Sequence, residues 1–279
     1  MEIINSGQLA AIIKEGNVVI ADARGGADAL ERYKSGHLEN ALFVDLETEL
    51  SNKSENAANG GRHPLPEPAE FGNLLSRLGI SPSSTVIVYD DKKGANAAAR
   101  FWWMLKAAGH EIVYVISGGL DSLVKAGFKI TTEIPLVPSE TAVYKIENWK
   151  LPTISINQVA DVSDNKDYLI IDVRENYRYL GESEPIDLIA GHIPGAVNIP
   201  YTSNLDENGE FLSNTELVEK YKSALQGRNP ENVYVHCGSG VTACHTLLAL
   251  AEAGIAGAGL YVGSWSEWSR NDRPIATGN

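Results

Sequence analysis

The sequence predicts an α/β protein made of two tandem copies of one domain, each a central parallel sheet flanked by helices on both faces. Three observations lead there. Short β-branched runs alternate with helical stretches along the chain, the pattern of parallel strands joined by crossover helices. Four sequence blocks recur in the same order in the two halves. The 279 residues, 43% of them apolar, suffice for two domains that each bury a core.

The blocks place the elements. "GNVVIADARGG" (16–26) matches "KDYLIIDVREN" (166–176): each is an apolar run closing on an aspartate, Asp22 or Asp172, with an arginine two residues on. "YKSGHLENALFVDL" (33–46) echoes "LIAGHIPGAVNIPY" (188–201). "SSTVIVYDDKKGANAAARFWWMLKAAGH" (83–110) parallels "PENVYVHCGSGVTACHTLLALAEAGI" (230–255), and "VYVISGGLDSL" (113–123) parallels "GLYVGSWSEWS" (259–269). In the first half "VVIAD", "ALFVDL", "TVIVYD" and "IVYVIS" read as strands. "PAEFGNLLSRLG" and "NAAARFWWMLKAAG" read as helices, each ending at a glycine where a helix C-terminus favours one, with "FWWM" (101–104) as helix core. Residues 131–152 hold prolines and no sustained period and read as a linker, so the domains are expected at 1–130 and 153–279.

Composition narrows the function. Lys and Arg total 23 against 36 Asp and Glu, a formal charge of -13, which argues against a nucleic-acid binder. An anion site remains open if its local field is positive, because charges beyond about 8 Å are largely screened at physiological salt. The amino terminus lacks a basic region followed by an apolar core, and no run nears the roughly 20 apolar residues of a membrane span. Cys237 and Cys244 make no disulfide scaffold. A cytoplasmic protein without a membrane partner is the expectation.

The chemistry is expected at Cys237. The run Val233 to Val235 delivers it to the carboxyl end of a strand, where parallel α/β sheets keep their ligand sites. Gly238, Ser239, Gly240, Val241 and Thr242 then suit a tight loop whose N–H groups turn inward, with both glycines free to take positive φ. A helix beginning there adds orphan amides and its positive dipole end. Keeping a cysteine thiol ionised at neutral pH takes roughly 2.7 kcal/mol of preference for the thiolate. A helix dipole gives up to about 2 kcal/mol, and each hydrogen bond to a charged acceptor about 1.5 to 3 kcal/mol, so loop amides suffice without a nearby cation. Cys244 falls among Leu247, Leu248 and Leu250 and reads as helix core. The repeat sets Asp90 opposite Cys237, so the first half has no nucleophile: one catalytic half, one scaffold half.

Three cysteine chemistries compete. A phosphatase loop needs arginine six residues after the cysteine, and Ala243 stands there. A protease needs a histidine base, but His236 adjoins Cys237 on a strand and so faces the other way. Sulfur transfer through a persulfide asks for a compact amide cradle with cations nearby. A binding module using the same shape without chemistry is the non-enzymatic alternative.

"CGSGVTA" (237–243), "GHIPGAVNIP" (191–200), "DVRENYRYLG" (172–181) and "GSWSEW" (263–268) resemble the two-domain rhodanese family over essentially the whole chain. The resemblance implies domains with five-stranded parallel sheets, an inactive first domain, and no cofactor or metal. It also implies a small sulfur donor and a thiol, thioredoxin-like or cyanide acceptor. The loop is most similar to 3-mercaptopyruvate sulfurtransferases; thiosulfate sulfurtransferases carry basic residues where Gly238 and Ser239 stand. By the same resemblance Cys237 is the nucleophile and Arg178 binds the donor's anionic end. Ser239, His37 and Asp28 would form a relay at a site between the halves, while Thr242 and the amides of Gly238, Gly240 and Val241 stabilise the persulfide. Ser264 and Trp265 would wall the cysteine; Arg62 and His63 in "GGRHPLP" could approach the site, though a plain loop is the favoured reading. One departure bears on the donor. Mercaptopyruvate enzymes carry a second arginine in an "EPR" segment, where this chain has Ile186 and Asp187.

Overall fold

A computed structural model describes residues 1–137 and 143–278. Its contacts divide the chain into two compact units. The first comprises Met1–Asn52, Leu65–Lys150 and Glu207–Phe211; the second comprises Lys53–Pro64, Leu151–Asp206 and Leu212–Asn279. Segment 53–64 therefore belongs to the second unit although it lies in the first half of the sequence.

The first unit runs β1 (Ile3–Ile4), α1 (Ser6–Ile12), β2 (Val18–Arg24), α2 (Ala29–Ser35), β3 (His37–Leu38), β4 (Leu42–Asp45), α3 (Pro68–Arg77), β5 (Thr85–Tyr89), α4 (Ala97–Ala107), β6 (Val113–Ile116), α5 (Gly119–Lys125) and β7 (Ile130–Thr131). Its five-stranded sheet has the order β1-β6-β5-β2-β4, parallel throughout, and β3 pairs antiparallel with β7. The four strand runs read from the sequence are β2, β4, β5 and β6. Phe101, Trp102, Trp103 and Met104 of α4 are buried, as core residues should be. Asn5 caps α1 in a reciprocal capping box with Gln8, which fixes where that helix starts.

The second unit runs α6 (Ile156–Val162), β8 (Leu169–Asp172), α7 (Asn176–Tyr179), β9 (Val197–Asn198), α8 (Asn214–Leu225), β10 (Val233–His236), α9 (Thr242–Glu252), β11 (Gly259–Leu260) and α10 (Ser264–Trp268). Its parallel sheet has four strands, β11-β10-β8-β9, where five were expected. A single parallel bridge, Thr153 to Leu260, stands in the fifth place. Pro152 explains the shortening: its carbonyl accepts from Leu260, but it has no N–H with which to extend the ladder. Ile154, Val159, Ile170, Ile193, Trp265 and Trp268 form one core around this sheet.

Residues 138–142 lie outside the described part, but the stretch just after them packs onto the first unit. Tyr144 and Ile146 are buried, the Tyr144 amide donates to Ser76 Oγ at 2.8 Å, and Trp149 packs against Phe71 and Trp103. Among the described residues no helix is long and apolar enough to cross a membrane.

Burial sets a pH dependence. It pushes His245 on α9 down to about 3, and it lowers His110 and His236 as well. The unfolded chain then binds protons below the ordinary histidine value that the folded chain refuses. Stability is complete above about pH 6.5 and is lost as the pH falls toward the depressed folded values. Thermal unfolding followed from about pH 8 to about pH 5 is expected to show a flat Tm that declines below about 6.5. A flat profile down to pH 5 would contradict this assignment.

Candidate active site

Cys237 follows the last residue of β10, and α9 begins at Thr242, so the loop spans Gly238 to Val241. Its carbonyls are tied to α10: Trp265 N–H donates to the Cys237 carbonyl at 3.0 Å and Ser266 N–H to the Gly238 carbonyl at 2.8 Å. In a trans peptide the C=O and the next N–H point opposite ways, so these bonds turn the loop amides inward. The Ser239 N–H accordingly faces Cys237 Sγ at 3.5 Å. Ser264 Oγ accepts from Cys237 N at 3.2 Å and donates to the Tyr261 carbonyl, so Ser264 and Trp265 do flank the cysteine.

The two glycines serve different ends. Gly240 has φ +74, and a Cβ there would meet the Val262 carbonyl oxygen at 2.4 Å. Gly238 is not at positive φ; it is small because Arg62 Nη2 lies 3.0 Å from where its Cβ would be, Asp187 Oδ2 3.3 Å and Arg178 Nη2 3.4 Å. These neighbours enclose the loop, and Cys237 is only 2% exposed. Val241 is buried, Thr242 is half-buried at the helix start, and Cys244 is buried with its thiol donating to the Gly240 carbonyl.

Ser239 Oγ pairs at 2.8 Å with Nδ1 of His63. His37 belongs to the first unit, where Nδ1 meets the Tyr33 carbonyl, Nε2 meets the Glu133 carbonyl, and the ring stacks on Tyr33 at 3.9 Å. His192, its twin, bonds the Tyr179 carbonyl and stacks on Tyr179 at 3.7 Å. The pair shares a structural role. Asp28, 70% exposed at its side chain, bridges Arg32.

His63 and Arg62 arrive on segment 53–64, docked by backbone and side-chain bonds onto α10 and the residues after it. Gly60 N–H donates to Glu267 Oε1 at 3.0 Å, Arg62 N–H to Ser266 Oγ at 3.1 Å, and Asn271 Nδ2 to the Ala58 carbonyl at 3.0 Å. Gly61, at φ +82, lies so close that a Cβ would sit 2.4 Å from the Gly263 carbonyl oxygen. Two adjacent positive-φ glycines before Arg62 were the signal in the sequence, but nothing local says where such a turn docks.

Arg178 is buried beside the loop. Its Nε and Nη2 bond Glu184, Nη1 bonds Glu175, and Nη2 also reaches Asp187 at 3.4 Å. Burial disfavours the Arg178 guanidinium, but Glu184 outweighs it and leaves the value raised; burial likewise opposes the Glu184 carboxylate, and Arg178 holds it low. Asp187, wholly buried at its side chain, also accepts from Arg62 and Arg270.

A backbone prediction follows. Ala at Gly240 must bear both the positive-φ cost of about 1 kcal/mol and the collision with Val262, whereas Ala at Gly254, with φ +73 and open space around it, bears only the first. Gly240→Ala is expected to lower Tm clearly more than Gly254→Ala in thermal unfolding; equal losses would remove the close-approach argument.

A family model described as a Rhodanese-like domain matches residues 5–126 and 155–271. The "Probable 3-mercaptopyruvate sulfurtransferase" of Pseudomonas aeruginosa is 37% identical over 285 residues, covering 100% of this chain and 99% of that protein. The thiosulfate sulfurtransferase of Gallus gallus is 35% identical, covering 88% of this chain and 83% of its own. Among solved structures, SseA from Escherichia coli, described as a 3-mercaptopyruvate sulfotransferase, superposes with TM-score 0.77 at 31% identity, covering 95% of this chain and 99% of that one.

Proposed function

The chain belongs to the rhodanese family of sulfurtransferases, and on that premise we propose that Cys237 takes a sulfane sulfur from 3-mercaptopyruvate, holds it as a persulfide and passes it to a thiol or cyanide. The observation that carries this reading is the contact of Ser239 with both partners. Its amide faces Cys237 Sγ, and its hydroxyl is bonded to His63.

In this reading the Cys237 thiolate attacks the sulfur of the donor. The persulfide S–S bond forms as the donor's C–S bond breaks, and the bonding pair leaves with carbon as the enolate of pyruvate, which one proton completes. Charge develops on the keto oxygen, and the Ser239 hydroxyl is the donor suited to it, with His63 orienting that hydroxyl and relaying the proton. Amides turned toward Sγ favour the anionic persulfide that results. An acceptor thiolate or cyanide then attacks the outer sulfur and restores Cys237. Such a double displacement gives ping-pong kinetics. A thioredoxin-like acceptor and a cytoplasmic setting belong to the same proposal, as do domain limits near 1–130 and 153–279 for the sequence repeats themselves.

Thiosulfate is the second reading. It is favoured by Ile186 and Asp187, which stand where the second arginine of mercaptopyruvate enzymes would be expected. Thiosulfate has no keto oxygen, and sulfite leaves with the bonding pair, so the Ser239 hydroxyl has less to stabilise.

Two measurements separate these readings. With Cys237→Ser, mass spectrometry after incubation with donor is expected to show no gain of a sulfur atom and no turnover; retained activity would end the proposal. Ser239→Ala and His63→Gln are each expected to cost about 10²-fold or more in kcat/KM with mercaptopyruvate and much less with thiosulfate. Equal losses with both donors would remove the hydroxyl's role at the keto oxygen.

A further inference from the structure

We propose that Arg62 is a donor-binding residue: its guanidinium, held in readiness by Asp187, takes the anionic head group of the sulfur donor beside Cys237. This inference rests on the sulfur-transfer reading of Cys237, which it deepens.

Position is the first ground. The peptide adjoining the nucleophile carries no side chain, and the volume a side chain at Gly238 would enter is bordered by Arg62 Nη2 at 3.0 Å, Asp187 Oδ2 at 3.3 Å and Arg178 Nη2 at 3.4 Å. Of the two arginines, only Arg62 has capacity to spare. Arg178 is buried and commits all three guanidinium nitrogens to carboxylates of its own loop. Arg62 keeps 28% of its side chain exposed and bonds a single carboxylate, Nε to Asp187 Oδ1 at 3.0 Å and Nη2 to Oδ2 at 3.4 Å. Its Nη1 has no protein partner among the described residues. The backbone beneath it is anchored through Ser266 and the close approach of Gly61, so the head group is aimed rather than wandering.

Charge is the second ground. Arg62, Arg178 and Arg270 converge on Asp187, and Glu184 is the other buried carboxylate on Arg178. Three guanidiniums face two buried carboxylates, and Glu175, 42% exposed at its side chain, brings a third carboxylate to Arg178. Arg174, which also touches Glu184, is balanced by Asp172. Asp187 is shared among three guanidiniums, and it holds the place beside Arg62 until a donor oxyanion takes over part of the Arg62 fork.

The first unit supplies the third ground. There Asp91 follows Asp90 as Gly238 follows Cys237, and Asp91 is paired with Arg32, which precedes Tyr33 as Arg178 precedes Tyr179. In that unit the protein fills the position with its own carboxylate. The second unit has glycine there, and the carboxylate beside it is Asp187, whose Oδ2 lies 3.3 Å from the Gly238 Cβ position and whose place a donor oxyanion takes.

The test uses two alkylating agents of equal size, anionic iodoacetate and neutral iodoacetamide, whose rates at Cys237 are followed by peptide mass mapping. Arg62→Gln is expected to lower the iodoacetate-to-iodoacetamide rate ratio several-fold, and to raise KM about tenfold with kcat little changed for whichever donor Arg62 serves. Arg62→Lys should recover part of both effects, since it keeps the charge without the fork. A rise in KM for mercaptopyruvate alone identifies a carboxylate as the bound group; a rise for thiosulfate identifies a sulfonate. An unchanged alkylation ratio together with unchanged KM values overturns the inference, even if wild-type protein loads its persulfide. A ratio that falls in a protein that neither donor loads leaves the anion site standing and removes the sulfur-transfer reading instead.

Discussion

The site depends on two hydrogen bonds that never touch substrate: Trp265 N–H to the Cys237 carbonyl and Ser266 N–H to the Gly238 carbonyl. Peptide planarity converts each into an orientation of the following amide, so anchoring the carbonyls outward is what aims the N–H groups inward. The same short helix, with the residues that follow it, receives segment 53–64 through Ser266, Glu267 and Asn271. One element thus positions the nucleophile loop, the histidine on Ser239 and the arginine over Gly238. An error in that helix would displace all three together.

The first unit shows what such a loop does when no chemistry is asked of it. Asp90, the counterpart of Cys237, accepts backbone N–H bonds from Lys92, Gly94, Asn96 and Ala98 at 2.7 to 3.2 Å. Burial pushes the Asp90 carboxyl up while those four amides pull it down, and burial prevails. A buried carboxylate is costly unless it is fully hydrogen-bonded, and here the cradle supplies the bonds. The backbone of this loop alone supplies four hydrogen bonds to the Asp90 carboxyl group. In the second unit the same position carries a thiol, and the Ser239 amide faces its sulfur.

Much of this was legible in the sequence, because it is carried by local pattern. The aspartate–arginine pairs of the repeats, Asp22 with Arg24 and Asp172 with Arg174, are buried ion pairs within two residues, and their spacing announces them. The cysteine loop likewise follows from a strand, two glycines and a helix. The histidine bonded to Ser239 was far less legible, for a physical reason. His37 and His192 sit in matched motifs, and that recurrence suits a shared structural place: each is fixed by the carbonyl and ring of a nearby tyrosine. His63 lies in an irregular segment with no period, and its importance comes wholly from tertiary docking. The same holds for Asp187, whose neighbours Arg62 and Arg270 are 125 and 83 residues away in sequence.

The loop's composition explains why the second unit needs a segment from the first half of the chain. Between Cys237 and Ala243 there is no ionisable side chain other than the cysteine itself. Small residues let α10 and Val262 close tightly around the backbone, which is what Gly240 makes possible. That tightness excludes water and strengthens each electrostatic contact, but it leaves no room within the loop for a base or a cation. Both must enter from elsewhere, as side chains projecting over the gap left at Gly238 and toward the hydroxyl of Ser239. Arg62 and His63 are adjacent residues, so one anchored turn delivers both. A separate source for each would need two anchored segments, and twice the backbone ordering, to reach the same precision.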